Sequence, residues 1–331
     1  MGEALSELFP YPPRGGQLEL IEFILESIGD GSLCISAPTG FGKTPVILAA
    51  LLKKALAEGS RIVWAVKTGG EADRPIEELK VVCEAKGLSV FGFSYRGKKD
   101  MCLLVEDMGV GELSYEEAAF LCRQVRRRCP YYAKLAKSAR RLKVSRPLVF
   151  SELIEECRRA GVCPYYAQQL LLEKAVVISL SYNYVLSREI GWALRRAASF
   201  KSCYLVVDEA HNLQQASSSI NSDSITSRTV ARAARELALA GEDYSWLAEP
   251  LSRMQWALRR LPVDSTFKPS DVIEVSFEAT VDRATEMLEE AKEAGEEVRR
   301  VRLEAGARPS SSLRHLADFW LRSLELEGEE G

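Results

Sequence analysis

The chain has 331 residues, 47% of them apolar and 27% charged, with a formal net charge of −3; that length and apolar share support a sizeable core in two or three compact units. Its longest apolar runs, Ala175–Leu180 and Leu33–Ala37, fall far short of the roughly 20 residues a membrane span needs, and the opening stretch MGEALSELFPYPP carries early acids and no continuous apolar segment, which excludes a secretory signal. The expectation is a cytoplasmic protein with no membrane partner, whose eight cysteines are core thiols and metal ligands, not a disulfide framework.

In chain order, residues 1–96 alternate apolar runs with helical patterns. SLCISAP (Ser32–Pro38), RIVWAVKT (Arg61–Thr68) and LSVFGFS (Leu88–Ser94) read as buried strands. Between them, TPVILAALLKKALAEG and ADRPIEELKVVCEAKG space apolar residues as helices do and end in Gly. This alternation predicts an α/β fold with a parallel, doubly wound sheet.

Residues 97–166 change character. They hold no convincing strand, and from Arg123 to Arg146 there are ten Lys or Arg and no acid. Such a run is either a nucleic-acid footprint or a solvated helix face. The tetrapeptide Cys-Pro-Tyr-Tyr occurs twice here, at Cys129 and Cys163.

The strand signal returns in KAVVISLSYNYVL and CYLVVDEAHN, so residues 97–166 read as an insertion in one α/β unit formed by 1–96 and 167–212. Residues 213–331 are helical in pattern, apart from TFKPSDVIEVSFEAT, which is expected to hold one or two strands. No tandem repeat of fixed period covers this second, mostly α-helical domain, which removes a solenoid reading of the repeated tetrapeptide.

The motif APTGFGKT (Ala37–Thr44) follows an expected strand and opens an expected helix, the context of a P-loop. Gly40 and Gly42 let the backbone aim N–H groups at phosphate oxygens, and the helix N-terminus adds partial positive charge. Lys43 is expected to reach the β- and γ-phosphates of ATP and Thr44 to ligate Mg²⁺. Ala37 departs from the Gly that opens the general pattern.

YLVVDEAHN supplies the complementary element. A carboxylate at a strand's C-terminal end, Asp208, can hold Mg²⁺, and the adjacent Glu209 can orient the attacking water. Alone, Asp-Glu-Ala-His is no more than a helix start; beside a P-loop it is a catalytic pair. His211 is expected to couple nucleotide state to partner binding.

APTGFGKT and VVDEAHN together resemble superfamily-two helicases. FPYPPRGGQLELIEFI, FSYRGKKDMC and CPYYAQQLLLEKAVVISLSYNYVLS narrow the likeness, from about Phe9 to Asn212, to the XPD group of iron-sulfur DNA helicases. That resemblance implies a RecA-like lobe (1–96 and 167–212), an iron-sulfur domain (97–166) and a helical Arch-like domain (213–331). It implies nucleotide contacts from Arg14, Gln17, Thr39, Gly40, Gly42, Lys43 and Thr44. It also implies [4Fe–4S] ligation by Cys102, Cys122, Cys129 and Cys163.

Spacing alone leaves zinc and iron-sulfur both open, because no Cys-x-x-Cys knuckle is present and a four-thiolate set serves either. Cys34, Cys83 and Cys203 read as core thiols, and Cys157 as the rival ligand. In this neighbourhood Arg96, Lys98, Lys99, Arg126, Arg127 and Arg128 are expected to grip a phosphate backbone. Tyr131, Tyr132, Tyr165 and Tyr166 either stack on bases or pack around the cluster.

The likeness stops after Asn212. No Gln-x-x-Gly-Arg-x-x-Arg pattern and no second α/β lobe follow. Two expectations result. One is an ATP-dependent 5′-to-3′ DNA helicase component in DNA repair, binding single-stranded or forked DNA, with its second lobe on another polypeptide or on sequence outside these residues. The other is a nucleotide-responsive DNA-binding scaffold without turnover.

Overall fold

The computed structural model describes residues 7–29, 31–138, 144–187, 190–191, 194–195 and 203–330. In chain order the helices and strands are α1 (Gln17–Ser27), α2 (Lys43–Glu58), β1 (Arg61–Val66), α3 (Arg74–Lys86), β2 (Gly92–Ser94), α4 (Leu103–Met108), α5 (Tyr115–Val125), α6 (Pro130–Ser138), α7 (Phe150–Ala160), α8 (Pro164–Leu171), β3 (Val177–Ser181), α9 (Asn183–Leu186), β4 (Cys203–Val207) and α10 (Leu213–Asn221). Then follow α11 (Ser227–Ala240), α12 (Ala248–Arg260), α13 (Pro269–Phe277), α14 (Val281–Glu304) and α15 (Ser312–Glu330). Contacts divide the chain into one unit of residues 1–104 with 125–221 and another of 105–124 with 222–331. The stretch 97–166 is therefore shared between the two units.

The first unit is built on a sheet ordered β2-β3-β1-β4 with every neighbouring pair parallel. Continuous apolar runs suit this sheet because both faces are covered. Along β1 the side chains alternate between two cores: Val63 and Ala65 join Phe93, Ile178 and Leu180, whereas Ile62, Trp64 and Val66 join residues of α1, α2 and α3. The α/β fold is thus as the alternating pattern predicts.

Three expected strands change. Ser32–Pro38 is neither helix nor strand and pairs with no strand among the described residues. Its residues alternate, with Leu33 and Ile35 packing on the core and Cys34 exposed, so Cys34 is not the core thiol its apolar neighbours suggested. Leu88–Ser94 shortens to β2 because Gly87, at φ 63°, turns the chain and the Leu88 N–H donates to the Cys83 carbonyl, closing α3. TFKPSDVIEVSFEAT contains a helix, not strands: Pro269 starts α13, and Val272, Ile273, Ser276 and Phe277 make one buried face. Packing overrides the strand preference of its β-branched residues.

The second unit's helices enclose a core centred on Trp320, which is fully buried and donates its indole N–H to the Met254 sulfur at 3.1 Å. Gly295 of α14 lets α15 approach at backbone distance; a Cβ there would lie 2.5 Å from the Arg314 nitrogen.

Candidate nucleotide site and cysteine corners

The phosphate loop takes its shape from two left-handed glycines, Gly40 at φ 82° and Gly42 at φ 87°, a region closed to most side chains. Gly42 caps α2, so the first turn of a 16-residue helix, beginning at Lys43, points its free N–H groups at the loop. Gln17, buried on α1, accepts the Arg14 N–H at 2.7 Å and donates from Nε2 to the Phe41 carbonyl at 2.6 Å. A Cβ on Gly42 would sit 2.9 Å from that same amide nitrogen. Gln17 is therefore a splint for the loop backbone. Arg14, Thr39 and Gly40 are exposed, and Thr44 is half-buried.

Lys43 donates to the Ala37 carbonyl at 3.1 Å and lies 3.7 Å from Glu209. Glu209 follows Asp208 at the C-terminal end of β4, where ligands of open α/β sheets bind. The Asp208 N–H continues the ladder to the Ala65 carbonyl at 2.9 Å, and Trp64 Nε1 donates to its Oδ2 at 3.4 Å. Glu209 itself is left-handed, with φ and ψ both 48°, a strain of roughly 1–3 kcal/mol for a residue with a Cβ.

Tyr182 holds that bend. Its hydroxyl donates to the carbonyls of Asp208 and Glu209, the latter at 3.1 Å. Burial pushes its phenol pKa up, and the nearby carboxylates of Asp208, Glu71 and Glu209 add to the effect, so it stays a donor. His211 Nδ1 sits 3.3 Å from Glu209 Oε2, and its Nε2 is 3.1 Å from Asn212, which in turn accepts from Lys67. Tyr182, Trp64 and Lys67 were absent from the motif reading; the one signal for Tyr182 was its position just past β3, at the same sheet edge.

The arrangement offers an anion N–H groups and a lysine, offers a divalent cation the Thr44 hydroxyl and Asp208, and sets a second carboxylate beside both. That donor set fits a nucleoside triphosphate with Mg²⁺.

The two Cys-Pro-Tyr-Tyr corners share one geometry. Cys129 has φ −67° and ψ 120°, Cys163 has φ −69° and ψ 116°, and each precedes a helix that opens on its proline. They are stitched together by the Cys163 N–H, which donates to the Tyr131 carbonyl at 3.1 Å. The Cys163 thiol is pushed up to about 12 by burial, partly opposed by backbone N–H groups, with Cys102 and Cys129 adding negative charge nearby. These three sulfurs share one neighbourhood in the first unit. Cys122 belongs to the second unit.

Among the described residues no group of three or more His, Cys, Asp or Glu is arranged to hold a metal ion. A polynuclear cluster spreads its thiolates wider than a single ion does, and an all-thiol donor set suits one. Cys157, fully buried in the apolar core and pushed to about 12 chiefly by burial, is a core thiol.

The basic residues divide. Arg96 is only 7% exposed; its guanidinium pairs with Asp73 at 3.2 Å and covers the Phe150 ring, while its backbone exchanges two hydrogen bonds with Gln168. With its guanidinium buried and paired, it braces the insertion and does not face solvent as a phosphate contact would. Lys99, Arg126, Arg127 and Arg128 are exposed, and Lys98 is half-exposed. Lys98 lies over the Tyr165 ring at 5.1 Å and Arg126 over Tyr132 at 5.6 Å. Tyr132, Tyr165 and Tyr166 pack edge to face on one another, the packing alternative for these rings. Arg140, Arg141 and Lys143 lie outside the described residues.

A phosphate loop at a helix start and a carboxylate pair at the end of an adjacent parallel strand define a P-loop NTPase lobe of the RecA-like kind. The chain belongs to the DEAD_2 family, whose model matches residues 64–230, half of its length, and the likeness to XPD-type superfamily-two helicases is borne out. It is similar to the ATP-dependent DNA helicase CHL1 of Candida glabrata, at 34% identity over 116 residues covering 32% of this chain and 14% of that protein. It is similar to the ATP-dependent DNA helicase chl1 of Neosartorya fischeri, at 27% identity covering 53% of this chain and 23% of that one. Regulator of telomere elongation helicase 1 of Bos taurus matches at 23% identity, covering 67% and 21%. The chain thus spans less than a quarter of the length of these relatives. A solved structure titled "Truncated XPD" has the same fold, with TM-score 0.57 and 21% identity over 95% of this chain and 82% of that one. No helix among the described residues is long and apolar enough to cross a membrane.

Proposed function

We propose that this chain is the ATP-binding half of an XPD-like DNA helicase that moves 5′ to 3′ on single-stranded or forked DNA in repair. The observation that carries this reading is the 3.7 Å approach of Lys43 to Glu209 across the P-loop, because a site retired from turnover has no chemical need of a water-orienting carboxylate. Incoming triphosphate competes with Glu209 for Lys43. The freed Glu209, bent into place by Tyr182, is then available to orient water toward the γ-phosphate. Bound Mg²⁺ would be held by Thr44 and Asp208 and would neutralise phosphate charge. His211, bonded to Glu209, carries the nucleotide state toward neighbouring elements.

Cys102, Cys122, Cys129 and Cys163 would hold a [4Fe–4S] cluster, for which an all-thiolate donor set is suited. Lys98, Lys99, Arg126, Arg127 and Arg128 then face the strand's phosphates. The γ-phosphate arginines come from a second RecA-like lobe on another polypeptide or on sequence outside these residues.

The test is single-stranded-DNA-stimulated ATP hydrolysis by the chain alone and with candidate second lobes. Stimulated turnover, absent from Lys43→Ala, supports the motor. Nucleotide and DNA binding without turnover in every combination assigns the scaffold instead.

A further inference from the structure

The second unit carries a cavity of about 820 Å³, within the range of roughly 300–1,000 Å³ typical of ligand sites, and its lining is unusually rich in arginine. Arg232, Arg235, Arg299, Arg302, Arg308 and Arg314 face it, against only Glu116, Glu117 and Glu236. Most of these charges neutralise one another. Glu117 clamps Arg308 Nε with both oxygens at 2.7 and 2.9 Å. Glu236 holds Arg302 at 3.2 Å and caps α15 by accepting the Leu313 N–H at 3.0 Å. Arg314 pairs with Glu296 and Asp318, and Arg299 approaches Glu296 at 3.7 Å while covering the Phe120 ring.

Arg232 and Arg235 are different. They sit three residues apart on one face of α11, both exposed and both lining the cavity. Among the described residues neither has a carboxylate partner. Arg235 bonds only the Ala231 carbonyl of its own helix, at 3.2 Å. Like charges at this spacing repel, and arginine cannot relieve the repulsion by losing its proton. A guanidinium fork matches phosphate oxygens two by two. The other four arginines of the wall are held by Glu117, Glu236, Glu296 and Asp318, so Arg232 and Arg235 are the two guanidinia presented to a ligand.

We infer that this cavity is a binding site for a ligand bearing two or more phosphate groups, with Arg232 and Arg235 as its principal contacts. The phosphates belong either to a nucleic-acid strand or to a free nucleotide or polyphosphate. The site is separate from the P-loop and does not depend on turnover there.

The test uses the whole chain carrying Lys43→Ala, to weaken competing binding at the P-loop. The probes are inorganic tripolyphosphate and an oligothymidylate without terminal phosphates, titrated at one fixed low salt concentration. Arg232→Ala with Arg235→Ala is expected to weaken tripolyphosphate binding by about tenfold or more, the loss of two charge-assisted contacts. Arg283→Ala, an exposed arginine that does not line the cavity and lies roughly 24 Å before Arg299 along α14, is expected to change it less than about twofold, as loss of a distant charge does. A parallel loss for the oligothymidylate, with mutual competition, identifies strand phosphates as the source; loss for tripolyphosphate alone identifies a free ligand. Unchanged affinity for both probes in the double variant, or an equal loss from Arg283→Ala, overturns the inference. Both substitutions are at exposed positions, and unchanged thermal melting excludes misfolding as the cause.

Discussion

Lys43 and Glu209 form an ion pair across the mouth of the phosphate loop, 3.7 Å apart, with the glutamate still half-exposed. Each holds the other where a γ-phosphate and its attacking water would be. Lys43→Ala is therefore expected to remove nucleotide hydrolysis while leaving DNA binding intact. Glu209→Gln, which removes the carboxylate competing for Lys43, is expected to bind ATP at least as tightly as before yet turn it over about 10² to 10⁴ times more slowly, the scale of a lost general base. Steady-state hydrolysis and nucleotide titration separate the two.

Tyr182→Phe removes the hydroxyl that donates to the Asp208 carbonyl and one of three donors to the Glu209 carbonyl, which keeps the Asn212 backbone and side-chain N–H groups. Loss of one net hydrogen bond costs about 0.5–1.5 kcal/mol, and here the loss falls on the backbone that bends Glu209. Turnover should fall with little change in nucleotide affinity. An equal fall in affinity would mean that the hydroxyl merely supports the lobe.

Cys163→Ser and Cys129→Ser should each abolish the brown colour and bound iron of anaerobically purified protein, whereas Cys157→Ala should keep both. Elemental analysis showing zinc in place of iron in the unmodified chain would overturn the cluster assignment.

Acid should loosen the packing of α7 on α3 through Glu152. Burial by itself raises this carboxyl's pKa, but the Lys80 ammonium bonded at 2.5 Å, the Val149 N–H and the charges of Lys80 and Arg146 outweigh it, so the folded value lies below the ordinary 4.5. A lowered folded pKa means that the stabilisation is fully present above the unfolded value and is lost as pH falls through the folded one. The difference in urea midpoint between wild type and Glu152→Gln should hold near neutrality and be lost as pH falls through the lowered folded pKa.

Gly295→Ala should destabilise the second unit by about 1–3 kcal/mol, the usual cost of overpacking, since the new methyl would meet the Arg314 backbone. Gly328→Ala, on the same unit with nothing within 4 Å, should be neutral or stabilising by up to about 1 kcal/mol. Denaturant midpoints of the two variants make the comparison.

The nucleotide site was legible because phosphate chemistry requires contiguous residues: a loop needs Gly40, Gly42 and Lys43 within a few positions, and the cation and water need adjoining carboxylates. Partners brought in by topology were not. Trp64 reaches Asp208, and Tyr182 reaches the Glu209 carbonyl, only because β1 lies between β3 and β4, an order that no local pattern encodes. Gln17 carries a family expectation of nucleotide contact, and in the structure both ends of its amide bond the backbone. The misread segments share a cause: Val-Ile-Glu-Val in α13 and Leu-Cys-Ile-Ser before the P-loop have strand-like composition, and only packing decides what such runs become.

The matched Cys-Pro corners have a consequence at the opposite end of their segment. From Cys163 the chain runs through α8 and one short turn directly into β3, and β3 delivers Tyr182 to the carboxylates. The cysteine corner and the Asp208–Glu209 carboxylates are thus separated, along this path, by one short helix, one turn, one strand and a single tyrosine hydroxyl.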